Sequence, residues 1–434
     1  MAGKVFELFG KPVVLFVLSM LLYYGSHAQN DSTVHRDTTC VQKDVADLIR
    51  AALKMPPKKD TGKKGSIILV PIIGSNPATG FMIGVGGQYG FKLKGEKTNY
   101  SLISGSVQLT TKGQKLLLIK NTIFSKNNKF ILTGDWRFQE YSQSTYGLGT
   151  NAPEEGGLNY HFNLLGLETT DDSLAQPLRF NFFRFYQSIS FHIKKSFYIG
   201  TGYYLDSYSK IVDEKLRLEP GNTLLTSHYV YNKHYGFDTA KYTVSTLNFN
   251  IVSDTRDNLI NAYKGHYFFF NWRTSLKLFG TNSNTSLFYG EWRSFHSLSK
   301  RNPRHLIGFW LMGDFSSKGE LPYLILPATA YDQRSRSARG YTQGRFRGNN
   351  LVYGETEYRF PISPCTGVLG GVLFANATTA SNPQETVKLF QSIQPGYGLG
   401  LRIMVDKKTR TNLAVDFAFG NKSSGFYLAA SETF

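Results

Sequence analysis

Arg334, Arg336, Arg339, Arg345 and Arg347 crowd one loop punctuated by Gly340, Gly344 and Gly348, and Glu355 and Glu357 open the stretch that follows. A guanidinium stays charged at any physiological pH, so a glycine-broken arginine loop is no packed core and must meet acidic groups wherever it leaves water. The following stretch alternates, with Glu355, Glu357 and Arg359 on one face and Thr356, Tyr358 and Phe360 on the other. One face of that strand is polar and the other is suited to an oily neighbour.

Signatures of catalysis are missing elsewhere. The chain has no G-x-S-x-G nucleophile elbow, no H-E-x-x-H zinc pattern and no phosphate-cradling G-x-x-x-x-G-K-[ST] loop. Ser190 and His192 share one face of a strand and could in principle act as nucleophile and base, but Arg184 lies on the same face, away from any lipid substrate. No enzyme activity, metal or cofactor is expected, and an outer-membrane lipase is the remote alternative.

The beginning of the chain sets the compartment. Lys4 and Lys11 precede an apolar run from Val13 to Tyr24, and Ser26-His27-Ala28 offers small residues where a signal peptidase reads, so residues 1–28 are expected to be a signal peptide and Gln29 the first mature residue. No cysteine stands at the cleavage point, so lipid anchoring is not expected. That apolar run falls short of the roughly twenty residues a spanning helix needs, and no later run reaches it. A membrane location therefore requires strands. The 42 glycines, 33 Phe and 26 Tyr against only two cysteines favour one large aromatic β-structure over several soluble domains. An ordinary hydrophobic fraction, 41%, suits a transmembrane barrel, whose strands alternate lipid-facing and lumen-facing residues. The net charge of +18 could indicate nucleic acid, but the secretion signal argues against it. Outside the arginine loop, basic residues gather at short turns: Lys92, Lys94 and Lys97; Lys126 and Lys129; Lys194 and Lys195; Lys300, Arg301 and Arg304; Lys407, Lys408 and Arg410. A basic rim on one side suits anionic lipid headgroups.

Alternating or aromatic runs occur at residues 66–74, 80–92, 98–110, 114–125, 128–141, 177–193, 197–209, 241–254, 264–278, 283–296, 304–315, 350–361, 366–376, 391–404, 410–420 and 424–434. These predict an all-β fold, a sixteen-stranded antiparallel transmembrane β-barrel. With the N-terminus in the periplasm, the long connections 142–176, 210–240, 316–349 and 377–390 all fall outside and the short basic turns fall inside the periplasm, as in outer-membrane barrels. Faces agree. Phe270, Trp272, Leu276 and Leu278 oppose Asn271, Arg273, Ser275 and Lys277; Tyr397, Leu399, Leu401 and Ile403 oppose Gly396, Gly398, Gly400 and Arg402; and Leu413, Val415, Phe417 and Phe419 oppose Asp416. Charged residues would cost several kcal/mol in lipid, about 2–4 at the midplane, so the polar sets face the lumen.

The Arg339-Gly340-Tyr341 loop, the strand Glu357-Tyr358-Arg359-Phe360-Pro361, the turn Asp254-Thr255-Arg256-Asp257-Asn258 with Gly265 after it, the strand Gly398-Leu399-Gly400-Leu401-Arg402, Asp416 and the terminal Phe434 together resemble the BamA/TamA superfamily of outer-membrane barrels, also called the bacterial surface antigen family, over roughly residues 66–434. The resemblance implies an inward-folded sixth outer loop whose arginine pairs with acids of the wall, Arg339 with Asp416 and then Glu357, with Tyr341 beside it. It also implies a weak lateral seam between the first and last strands, through which polypeptide clients or lipids pass. Pro71, lacking an amide hydrogen in the first strand, and Phe434 mark that seam. The expected function is insertion or translocation of polypeptide or lipid at the outer membrane of a Gram-negative bacterium. The alternative is a passive pore or structural barrel.

One departure bears on function. Family members that insert or export proteins carry periplasmic polypeptide-transport-associated (POTRA) domains, for which residues 29–65 are too short, so the chain is expected to lack them. This periplasmic tail instead offers a short helix within 41–54, with Val41, Val45, Leu48, Ile49 and Ala52 at helical spacing before Pro56 and Pro57. Residues 66–434 form the barrel domain. Expected partners are outer-membrane lipids and a separate periplasmic subunit or polypeptide client, with no nucleic acid. Cys40 in the tail and Cys365 in a short turn would both lie in the oxidising periplasm, where a disulfide between them would pin the tail to the barrel mouth; two unpaired thiols are the alternative.

Overall fold

Sixteen strands follow one another around a single antiparallel sheet in the computed structural model, which describes residues 41–56, 65–76, 80–95, 98–151, 175–275, 284–383 and 387–434. They are β1 (Gly65–Asn76), β2 (Gly80–Phe91), β3 (Ser101–Thr110), β4 (Lys115–Phe124), β5 (Phe130–Thr145), β6 (Gln176–Lys194), β7 (Phe197–Asp213), β8 (Tyr242–Asp254), β9 (Gly265–Ser275), β10 (Thr285–Ser297), β11 (Leu306–Lys318), β12 (Asn350–Pro361), β13 (Leu369–Ala380), β14 (Gln394–Asp406), β15 (Thr411–Gly420) and β16 (Ser423–Ala429). Each strand is laddered to its sequence neighbour, whereas β1 and β16 end the order with no ladder between them among the described residues. The result is a nearly closed sixteen-stranded barrel. Among the described residues no helix is long and apolar enough to cross a membrane. The signal peptide expected over 1–28, most of the tail, and Leu276, Lys277 and Leu278 lie outside the described residues.

Period-two alternation is what makes these segments strands. In β9, Trp272 is 44% exposed while its neighbour Asn271 is buried, and in β14 Tyr397, Leu399 and Leu401 are exposed while Arg402 is buried. The exposed side of the sheet is a band of Ile, Leu, Val and aromatic side chains, including Ile67, Leu69, Ile83, Val107, Leu311 and Phe417. Such a continuous apolar outer face is stable against lipid, not water. Its reverse face carries the polar and charged side chains, paired with one another and with loop residues.

Two features were not legible beforehand. The connection after β7 folds into a short hairpin, Arg217–Glu219 with Asn222–Leu224, and a second helix, Ser227–His234. Thr226 caps that helix by accepting from the Tyr229 amide, and Gly236, at φ +70°, follows its end. Those two residues were the available signal. Val230 and Tyr231 of this helix pack with Leu321, Tyr323 and Leu324 of the 319–349 connection and with Phe180 and Tyr208 of β6 and β7. Asn232 accepts from the Tyr323 amide at 3.0 Å. Helix and loop thus cover the end of the barrel where these strands meet their long connections.

The other feature is the last strand. An extended run to Phe434 is expected, but β16 stops at Ala429. Beyond it, Glu432 accepts from Arg402 at 2.6 Å and from Asn412 at 2.7 Å, and Phe434 is only 2% exposed, packed on Phe295 and Trp310. Buried guanidiniums and an aromatic slot outcompete the ladder for these residues. Phe434 therefore does not line the edge facing β1, correcting its placement at the seam.

The tail helix, Val45–Ala52, is shorter than the spacing predicts. Asp44 begins it, with a reciprocal capping box to Asp47. It docks on two short turns: Lys43 N donates to Thr366 O at 2.8 Å, and Lys407 Nζ lies 2.6 Å from Asp47 Oδ2. That hydrogen bond holds the Asp47 carboxyl below its usual value of 3.8 and the Lys407 ammonium above 10.5. A lowered carboxyl contributes above its unfolded-state value and is lost as pH falls through the folded one; a raised ammonium contributes below its unfolded-state value and is lost as pH rises through the folded one. Helix docking should hold constant from about pH 5 to 9 and loosen only below about pH 4 or above about pH 10. Amide hydrogen exchange of residues 45–52, compared between wild type and Lys407→Ala, checks this; release centred near pH 7 would contradict it.

Candidate functional site: an arginine lock on the barrel wall

The strand register brings together residues far apart in sequence. Glu355 and Glu357 stand on β12; Asn376 and Phe374 face them on β13; Gly398 of β14 faces Phe374; and Asp416 of β15 faces Gly400. Four neighbouring strands span roughly 14 Å along the sheet. Only a long side chain arriving over the middle of that arc can touch acids on both sides.

Arg339 arrives there from the 319–349 connection. It is 3% exposed, with Nε 3.2 Å from Glu355 Oε2, Nη2 2.6 Å from Glu355 Oε1 and 2.5 Å from Glu357 Oε1, and Nη1 2.8 Å from Asp416 Oδ2. The guanidinium also lies over the Phe374 ring, 3.5 Å from its centroid. A planar fork with donors on three sides serves three carboxylates at once, which the point charge of lysine cannot. Glycines give it room. A Cβ at Gly396 would stand 2.7 Å from Arg339 O, and one at Gly400 would strike Asp416 Oδ1. Gly340 takes φ +103°, a conformation costly for other residues, and its amide donates to Tyr427 Oη at 3.1 Å.

The sequence-predicted residues Arg339, Asp416 and Glu357 meet at this site. Tyr341 lies beside the loop, not over the guanidinium; its hydroxyl donates to Pro395 O at 2.6 Å and accepts from the Asn421 amide at 2.8 Å. Phe374 takes the stacking position instead. Glu355, on the same strand face as Glu357, makes the bidentate contact. The lock also extends further than the motif suggests. Arg359 bonds Glu357 at 2.7 Å, and Arg402 joins Asp416 at 2.5 Å to Glu432 at 2.6 Å. Arg359 and Arg402 were visible as lumen-facing strand residues. Glu432 was hidden because 424–434 reads as one strand, whereas the chain leaves the ladder after Ala429.

Other predicted positions fall elsewhere. Pro71 lies mid-strand in β1 opposite Val85, on an edge strand whose far side has no ladder, a position compatible with its missing amide hydrogen. His192 spends Nε2 on Lys195 O at 2.7 Å in an exposed turn, while Ser190 is buried. Among the described residues no hydrogen bond joins the two side chains. The turn after β8 braces the opposite rim: Arg256 bonds Asp254 through two contacts of 2.9 and 2.7 Å, and Arg410 reaches Asp257 at 2.7 Å. Cys365 is disulfide-bonded, and Cys40 lies outside the described residues. Among the described residues no group of three or more His, Cys, Asp or Glu is placed to hold a metal.

A search of curated proteins gave no match. Among solved structures, the chain is similar to BamA from Haemophilus ducreyi lacking POTRA domains 1–3, at 12% identity and TM-score 0.49, over 94% of this chain and 80% of that one. It is also similar to CdiB from Acinetobacter baumannii, at 14% identity and TM-score 0.48, over 85% of this chain and 60% of that one, so it spans less than two thirds of the CdiB chain. The model of the Omp85 superfamily domain matches residues 179–434, more than half of the chain, and with them the whole arginine lock. This chain belongs to the Omp85 superfamily and is an outer-membrane β-barrel of a Gram-negative bacterium.

Proposed function

We propose that this barrel inserts or translocates polypeptide or lipid at the outer membrane by parting its first and last strands. One observation carries the reading: every neighbouring strand pair is laddered except β1 with β16, and β16 runs only from Ser423 to Ala429 against the Gly65 to Asn76 span of β1. Backbone groups on an unladdered edge seek another strand or water, so the junction is the weakest line in the sheet and a template for an incoming strand. The arginine lock supports the same reading. It ties the 319–349 connection to β12 and β15, holding the wall beside the seam rigid while the seam itself moves.

A passive pore or structural barrel is the competing account, and a lipase the remote one. Crosslinking in native membranes followed by affinity purification separates the first two: a specific periplasmic subunit or trapped client is expected, and its absence under conditions that trap a known assembly barrel would favour the pore. Purified protein in proteoliposomes should release no fatty acid from the membrane lipid.

The periplasmic tail is proposed to be held by a Cys40–Cys365 disulfide. Thr366, next to Cys365, already accepts from Lys43, close to Cys40 in sequence. Closing so long a loop gives about 6 kcal/mol in the chain-entropy limit. Mass spectrometry of protein prepared without reductant should find the linked tryptic peptides. Alkylatable Cys40 and Cys365 would instead leave the tail pinned by the Lys43–Thr366 and Lys407–Asp47 contacts.

A further inference from the structure

A cavity of about 550 Å³ lies between the wall and the 319–349 connection, and both edges of the seam border it: Ile68, Val70 and Ile72 from β1, and Leu428 from β16. One side of this space is therefore apolar and is bordered by both strands of the seam. The other side is cationic. Most arginines around it are satisfied by carboxylates, Arg184 by Asp206, Arg273 by Asp314 and Arg256 by Asp254. Arg334, Arg336 and Lys120, the last facing Asp135 across the ladder between β4 and β5, hydrogen-bond instead to neutral groups. Arg334 donates to Thr433 O at 2.8 Å and Glu432 O at 3.1 Å; Arg336 donates to Ser431 O at 3.3 Å and Glu432 O at 3.2 Å; Lys120 Nζ donates to Gln333 O at 2.5 Å and Ser335 Oγ at 3.4 Å. Every one of these acceptors is neutral. The Asp332 carboxylate nearby is taken by the backbone amides of Arg334, Arg336 and Ser337. Among the described residues, neither Arg334 nor Arg336 makes an ion pair.

Guanidinium and ammonium groups that leave bulk water without an anion are costly, and a phosphate, with several oxygens, can accept from two guanidinium forks and an ammonium together. We propose that this cavity is a binding site for a phosphate-bearing lipid, its headgroup on Arg334, Arg336 and Lys120 and its acyl chains passing out between β1 and β16. The site deepens the proposed function, because it rests on the seam being the route and names a phospholipid-type amphiphile as what occupies it. Binding needs no turnover, so it can be tested apart from transport.

The probes are a soluble short-chain phosphatidic acid, inorganic phosphate, and a diacylglycerol of the same chain length, each titrated calorimetrically into folded protein in a non-ionic detergent. Saturable binding of the phosphatidic acid is expected, with inorganic phosphate weaker and the diacylglycerol not binding. The Arg334→Gln/Arg336→Gln double variant should weaken phosphatidic acid about tenfold or more, and Arg334→Lys/Arg336→Lys should retain part of that affinity. Because the arginines also hold residues 431–433, Lys120→Gln serves as a second variant, expected to weaken binding severalfold while the barrel keeps its heat-modifiable mobility. Phosphate binding as tightly as the lipid would reduce the site to a free-anion site and overturn the proposal. Equal lipid affinity in wild type and Lys120→Gln, or no lipid binding at all, would overturn it too. Lipid binding in a protein that neither inserts nor translocates would uphold the site and sink the transport reading.

Discussion

Replacing Arg339 by methionine is expected to lower the stability of the folded barrel by about 3–5 kcal/mol, the cost of removing one partner from a buried ionic cluster. Glu355, Glu357 and Asp416 would keep their burial and lose the charge they share, leaving only neutral donors and Arg359 and Arg402 to hold them. Methionine preserves much of the packing on Phe374, so the loss reads the charge and its fork, not a cavity. Lysine should recover less than half of it, because one ammonium cannot span acids on β12 and β15. Urea unfolding in detergent, followed by heat-modifiable electrophoretic mobility, gives the comparison. A loss below about 1 kcal/mol, the level of an exposed pair, would show that the lock is not buried in solution.

Phe434→Ala is expected to cost about 3–5 kcal/mol, as for other buried phenylalanines cut to alanine. The ring fills a slot between Phe295 and Trp310, 5.9 and 5.6 Å from their centroids, and Arg359 donates to Phe434 O at 3.1 Å. Trp310 is itself nearly fully buried, so its emission should shift red once water enters the vacated slot. If Phe434 instead continued β16 toward β1, truncation would leave Trp310 emission unchanged and loosen the seam alone.

Strand number, order and facing were legible because a barrel strand writes its two environments in alternate residues, and β12 runs over the expected residues. The arginine lock was legible in part. A glycine-flanked arginine and paired acids announce a buried charge site, but which acid takes the bidentate contact depends on register: Glu355 faces Asn376, which donates to Arg339 O, while Phe374 sits opposite Glu357 and under the guanidinium. Residues 430–434 were misread because a run that opens on Phe426-Tyr427-Leu428 and closes on Phe434 looks the same whether its end pairs with an edge or is drawn away by arginines distant in sequence. The helix at 227–234 was lost inside a connection read only by length, and its weak amphipathic pattern offered little beyond its two terminal signals.

The central claim, that β1 and β16 must part for function, is tested most directly by locking them. In a background with Cys40 and Cys365 replaced by serine, cysteines are introduced at Ile68 or Val70 and at Phe426 or Leu428, and the pairs that oxidise are reconstituted in proteoliposomes. The measurement is the rate at which an outer-membrane client becomes protease-resistant and heat-modifiable, or a labelled phospholipid crosses the bilayer, before and after reductant. The seam account predicts a rate no higher than empty liposomes while the bond is closed, restored when it is reduced. A locked barrel that works at the full rate would contradict it.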